Sequence, residues 1–208
     1  MKKRDTKKSD KAGQLALAAL ELFAQKGYVA TSLEEISTLA GIGKSTVYEY
    51  YRTKEDLFIA AVMEASDQWV ADLMAVGDET EDAVERLQRI AAIHLECLEP
   101  ANKGVIRIFL EVLMQTFMAG GVFYNRRHLI LEIHHRVVKI IVDFLLDGIS
   151  SGQLRPGIAR DAEKIAVNFL AFLDGIQLHA MLGDGYFDPH QQVANYMDHL
   201  VNMLRNED

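Results

Sequence analysis

Residues 31–58 read TSLEEISTLAGIGKSTVYEYYRTKEDLF, and the fold turns on how this stretch is interpreted. The pattern predicts two short helices around a glycine turn, with a third helix starting behind them. Thr31 and Ser32 open the first helix, and Ser32 with Glu35 fits a capping box. Leu33, Ile36, Leu39 and Ala40 then recur at helical spacing, so one face can be buried. Gly41 stops the helix because glycine enters the left-handed region without a Cβ penalty. After Ile42 and Gly43, Lys44 to Tyr51 forms the second short helix. Two such helices around a tight turn make a helix-turn-helix, whose second helix enters the major groove of DNA.

Val47 and Tyr51 fall four residues apart and can pack inward, leaving Lys44, Ser45, Thr46, Tyr48 and Tyr50 for the outer surface. Lysine and hydroxyl groups suit phosphate oxygens and base edges, and tyrosine adds a flat ring with a donor tip. Lys54 stands where the next helix begins, beside Glu55 and Asp56, and the free N–H groups of a helix start favour phosphate. The plainer alternative is a helical hairpin with exposed tyrosines. The coincidence of tight turn, basic position and surface hydroxyls argues against it.

At these residues the chain resembles the TetR family of transcriptional regulators. The resemblance is carried by Thr31, Ser32, Leu33, Ile36, Ser37, Ala40, Gly41, Ile42, Gly43, Thr46, Val47, Tyr48, Tyr50, Tyr51, Lys54, Glu55 and Leu57. It covers roughly residues 12 to 60, and beyond that only length and helical character agree. The resemblance implies an all-α homodimer: an N-terminal three-helix helix-turn-helix head, then a C-terminal helical ligand-binding and dimerisation domain. It also implies repression at a promoter and release when a small molecule binds. Carried over by position, Thr31, Lys44, Tyr50 and Lys54 would contact phosphates, and Ser45, Thr46 and Tyr48 would sit nearest the bases. Gly43 departs from the pattern, standing where many members place a capping serine; glycine is a tolerable N-cap.

Composition agrees with a two-part globular protein. Half of the 208 residues are apolar and a quarter are charged. Prolines occur only at positions 100, 156 and 189, each where a helix is expected to end or start. Few alternating β-branched runs occur, so almost no strand is expected. No run of about 18 apolar residues suggests a membrane span, and the basic N-terminus lacks the apolar core of a secretion signal. Cys97 is the sole cysteine, which fits a reducing cytoplasm, and it reads as a small core residue.

The net charge of −8 is unevenly spread. Residues 1 to 60 hold ten Lys or Arg against eight Asp or Glu, a balance of +2, so the remainder carries −10. Residues 1 to 11 have six basic and two acidic groups and are expected to form a flexible basic arm. Such an arm could touch phosphates or enter the minor groove, or simply be a solvated tail. The acidic remainder is repelled by DNA, which leaves binding to the head.

The expected organisation is therefore an arm over 1–11, a DNA-binding domain over 12–55 and an effector-binding and dimerisation domain over 56–208. The first helix is expected from about Asp10 to Lys26, and a long connector from Lys54 to near Gly77. Further helices are expected over 80–98, 103–118, 122–151, 160–182 and 189–206. The last two suit a dimer interface built from Phe169, Phe172, Leu173, Ile176, Tyr196, Leu200 and Met203, forming a four-helix bundle with a second copy. Completing the chain's own core is the alternative for these residues. Two recognition helices in a dimer can read half-sites about 34–36 Å or a multiple apart.

An effector cavity is expected among the helices of 80–182. The residues singled out are Arg107, Met114, Phe117, Met118, Phe123, Tyr124, His128, Phe172 and Gln177. Methionines and aromatics suit an apolar pocket, which favours a hydrophobic or amphipathic effector, although apolar residues at helical spacing are more often core. No metal site is expected: His134 and His135 point about 100° apart on a helix, and neither HExxH nor paired cysteines occur. No cofactor or enzyme motif is found, and the phosphate-loop echo in Gly41 to Ser45 lacks its first glycine. The leading reading is a ligand-gated dimeric repressor. A small-molecule sequestering protein with a vestigial head is the runner-up, and a hydrolase or transferase a distant third.

Overall fold

Long apolar stripes at helical spacing, few breakers and no strand pattern give a chain that is mostly helical where it is described. The computed structural model describes the backbone of residues 2–183 and 185–205, and side chains from residue 11 onward. Among these residues there are α-helices and short 3-10 turns and no strand. The helices are α1 (Lys2–Lys26), α2 (Leu33–Leu39), α3 (Lys44–Tyr50), α4 (Lys54–Glu79) and α5 (Ala83–Glu96). They continue as α6 (Lys103–Phe117), α7 (Arg127–Ser150), α8 (Ala162–Ala180) and α9 (Pro189–Leu204). No helix among the described residues is long and apolar enough to cross a membrane.

Two boundaries differ by more than three residues from those expected. The helical backbone of α1 begins at Lys2 and not near Asp10, because good helix formers occupy this stretch and no glycine or proline precedes Gly13. The basic arm was expected here, and its side chains up to Asp10 lie outside the described residues. The helix expected from residue 122 starts at Arg127, since Gly120 adopts φ 84° and the chain turns through residues 118–126.

The chain divides into two compact units, each discontinuous in sequence: Met1–Trp69 with Lys103–Ile130, and Val70–Asn102 with Leu131–Asp208. The first unit is built on Leu15, Ala19, Phe23, Ile36, Val47, Leu57 and Phe58, joined by Val122 and Phe123 from the second stretch. Phe58 meets Phe23 edge-on at 5.0 Å between ring centres, Tyr28 at 4.9 Å and Phe123 at 5.7 Å. Burying rings of this size is worth about 2–3 kcal/mol each.

Polar groups tie α6 to the end of α1. The Arg107 guanidinium donates to the Ala24 and Gln25 carbonyls, satisfying acceptors that the last turn of α1 leaves open. Glu111 accepts the Tyr28 backbone N–H at 3.2 Å, just after Gly27 has ended α1 with φ 84°.

In the second unit, Asp82 caps α5 by accepting the Val84 and Glu85 N–H groups, both at 2.9 Å. Gln153 bridges the same corner, taking the Ala83 N–H and donating to the Glu81 carbonyl. The buried Gln177 amide donates to the His94 carbonyl at 2.8 Å, joining α8 to the end of α5. Phe172 stacks on Tyr196 of α9 with ring centres 3.8 Å apart. The Arg155 N–H closes the end of α9 on the Leu204 carbonyl.

Candidate nucleic-acid interface

The turn between α2 and α3 follows from its residues. Ser32 and Glu35 form the reciprocal box: the serine hydroxyl accepts the Glu35 N–H, and the glutamate takes the Ser32 N–H at 2.9 Å. Glu35 also pairs with Lys26, and these bonds hold its carboxyl down at about 2. Gly41 turns the chain at φ 64°, where a side chain would be strained. Gly43 is the N-cap of α3 and brings no side-chain bond.

A seven-residue helix is unstable by itself, so packing must hold α3. Val47 is fully buried against the head, and Tyr51 turns inward to donate its hydroxyl to the Ala12 carbonyl. The opposite face is open: Lys44, Ser45, Tyr48 and Glu49 are exposed, while Thr46 and Tyr50 are half-buried. Lys44 reaches back to Glu34 at 2.9 Å, a pairing that raises the pKa of its ammonium.

Thr31 and Lys54 are turned the other way. Thr31 is 2% exposed, and its hydroxyl donates to the Gly27 carbonyl at 2.8 Å and to the Leu22 carbonyl. The Lys54 ammonium donates to the carbonyls of Tyr28, Val29 and Thr31 at 2.8, 3.3 and 2.9 Å, which occupies all three of its protons. Burial lowers its pKa and raises that of Tyr28 to about 12. The start of α4 is closed by a second reciprocal pair: Thr53 accepts the Asp56 N–H, and Asp56 accepts that of Thr53. Glu49 is not among the residues that the sequence reading singles out. Its signal is its place one turn beyond Ser45, on the side away from Val47.

Over residues 16–61 the chain matches the family described as "Bacterial regulatory proteins, tetR family", and over residues 93–189 the "Tetracyclin repressor-like, C-terminal domain". The chain belongs to the TetR family. The fatty acid metabolism regulator protein of Bacillus subtilis is 27% identical over 151 residues, 73% of this chain and 74% of that protein. A TetR-family regulator from Mesorhizobium loti superposes with TM-score 0.78 at 20% identity, covering 95% of this chain and 98% of that one. The regulator FadR of B. subtilis, solved with stearoyl-CoA, gives TM-score 0.70 at 22% identity, covering 91% and 97%. As a TetR-family member the chain is a DNA-binding transcription regulator and not an enzyme.

The residues expected to line an effector site fall in both units. In the first, Arg107 is spent on the end of α1 and Phe123 is fully buried against Phe58. Met114, Phe117 and Met118 are exposed, as are His128 and Tyr124, whose ring lies under the Arg127 guanidinium. In the second unit, Gln177 is occupied by His94 and Phe172 by Tyr196. A groove of about 380 Å³ between α4 and α5 is lined by Asp72, Ala75, Val76, Glu79, Arg89, Ala92, Ile93 and Glu96, and by none of those expected residues.

Of the expected interface residues, Phe169, Leu173 and Leu200 are buried within the chain itself. Phe172, Ile176 and Tyr196 are half-buried, and Met203 is exposed. The outer face of α8 adds Val167, Ala171 and Leu178, with open space around Gly175.

Proposed function

We propose that this TetR-family regulator is a repressor that binds a palindromic operator as a homodimer and is released by a small hydrophobic or amphipathic effector. The observation that carries the DNA-reading half is the open face of α3, with a cation, hydroxyls and a tyrosine ring above a fully buried Val47. Lys44 meets phosphate after leaving Glu34, Tyr50 meets phosphate from the other end of α3, and Ser45, Thr46 and Tyr48 approach the bases. Thr31 and Lys54 serve the same surface indirectly, by holding the corner on which α2 and α4 start.

A second copy is the natural cover for the α8 face of Val167, Ala171, Gly175 and Leu178, together with Met203. Phe172, Ile176 and Tyr196 extend that contact, and small residues allow two helices to approach closely. The effector reading draws on the exposed Met114, Phe117 and Met118. It draws also on the likeness to regulators whose descriptions name fatty acid metabolism and stearoyl-CoA. An acyl chain with a polar head is the effector class this favours, acting in the cytoplasm.

The test is selection of genomic DNA fragments by the purified protein at near-physiological salt, followed by competition with acyl-CoA thioesters. Recovery of a short palindrome that the thioester releases is the expected result. Recovery of no sequence above background would overturn the reading in favour of a ligand-sequestering protein.

A further inference from the structure

We propose that Glu49 is a base-reading residue of α3 and that it specifies a cytosine in the major groove of each operator half-site. The inference rests on the DNA-reading assignment of α3 and says what one of its side chains recognises.

The first argument is position. α3 buries Val47 and half-buries Thr46 and Tyr50. At about 100° per residue, Ser45 and Glu49 each lie about 160° around the axis from Val47, one on either side of the outward direction. Tyr48 and Lys44 follow on the Ser45 side, and the half-buried Thr46 stands on the Glu49 side. Glu49 therefore lies on the exposed arc of α3 beside Ser45, at the end of that arc farthest from Lys44.

The second argument is freedom. Three other carboxylates around the helix-turn-helix have partners, and Glu55, which has no hydrogen bond or ion pair among the described residues, stands on α4 and not on α3. Glu34 holds Lys44, Glu35 holds Lys26 and the Ser32 N–H, and Asp56 holds the Thr53 N–H. The Glu49 carboxylate carries no hydrogen bond or ion pair among the described residues, and its side chain is exposed. A free carboxylate on a surface that approaches phosphates is repelled unless a donor meets it there.

The third argument is the chemistry of the groove. An ionised carboxylate only accepts hydrogen bonds. Guanine presents N7 and O6 acceptors and thymine an O4 acceptor, all of which repel it. Adenine offers its N6 amino group but places the N7 acceptor beside it, whereas cytosine offers its N4 amino group. The carboxylate thus favours cytosine and penalises the other bases, giving discrimination by repulsion as well as by attraction.

The test is selection of randomised duplexes by the full-length protein and by Glu49→Ala and Glu49→Gln, with thermal melting of all three as a folding check. The wild type is expected to enrich a palindrome with a C·G pair at one fixed place in each half-site. Glu49→Ala is expected to lose roughly ten-fold of the preference at that pair alone. Glu49→Gln, which carries a donor beside its acceptor, is expected to move the preference there towards A·T. An enriched palindrome that is the same in all three proteins would overturn this proposal and leave the repressor reading standing. Loss of preference spread evenly along the site would do the same. A wild-type selection without any enriched sequence would overturn both.

Discussion

The Lys54 ammonium lies 2.8 Å from the carbonyl oxygen of Tyr28 and 4.4 Å from the centre of the same residue's ring. Tyr28 thus holds one cation twice, through its backbone and through its π face, while Val29 and Thr31 supply the other acceptors. Lys54→Met removes every one of these bonds and leaves partly buried carbonyls without a donor. It is expected to lower the unfolding free energy by about 1–2 kcal/mol, read as a lower urea midpoint. An unchanged midpoint, with a salt slope of DNA binding reduced by about one, would mark Lys54 as a phosphate contact instead.

Under the proposed reading of α3, Lys44 positions the DNA backbone and Tyr48 reads bases. Lys44→Ala is expected to weaken binding to all sequences by a few-fold to tens-fold and to flatten the salt dependence. Tyr48→Ala is expected to reduce discrimination between operator and random DNA. Titrations of labelled duplexes at several salt concentrations measure both, and equal behaviour of the two variants would refute the division of roles.

Gly148 in α7 marks a close approach inside the second unit. A Cβ at this position would lie 2.5 Å from that of Ala83 and 2.8 Å from Leu154 Cδ1. Gly148→Ala gains helix propensity, yet the clash falls on neighbours held by the Gln153 bridge and by the buried Leu154. The clash wins, at about 1–3 kcal/mol of lost stability. A thermal midpoint equal to or above that of the parent would show that the corner yields freely.

Asp174 in α8 gives stability a dependence on pH. Burial raises its carboxyl from 3.8 to about 6. The folded state therefore binds the proton more tightly than the unfolded state, and this contribution to stability is lost as pH rises from about 4 through 6. Asp174→Asn is expected to flatten that slope and to raise stability at pH 7 by about 1–2 kcal/mol, as seen in urea unfolding across a pH series. His94 acts with the opposite sign, because burial lowers its pKa and its share is lost as pH falls below its unfolded value of 6.5. His94 is common to both proteins, so the difference between them isolates Asp174.

The local part of the head was legible in the sequence. Capping chemistry places Ser32 and Glu35, φ requirements place Gly41, and the helical period turns Val47 and Tyr51 inward. The direction of a polar side chain was not legible. Thr31 and Lys54 carry donors suited to phosphate, but backbone carbonyls from an adjoining corner take them first. Composition cannot foresee this, because those carbonyls acquire their positions only when the corner at Gly27 forms.

Distance along the chain explains the remaining differences. Arg107, Phe123 and Gln177 look like pocket residues beside the methionines and aromatics around them. Their partners are Gln25, Phe58 and His94, far away in sequence. In α8, which is apolar nearly all round, the period alone cannot separate Phe169 and Leu173, buried in the chain's own core, from the open Val167 and Leu178.

The discontinuous first unit sets an order of events during synthesis. The chain emerges N-terminus first, and Val70–Asn102 must be made before Arg107, Glu111 and Phe123 appear. Until then the carbonyls at the end of α1 lack Arg107, and one side of the Phe58 ring stands open to water. A nascent chain or proteolytic fragment ending near Trp69 carries the whole helix-turn-helix and still has an unfinished core. Such a fragment is sticky, so the DNA-reading head becomes dependable only after more than half of the protein has been translated.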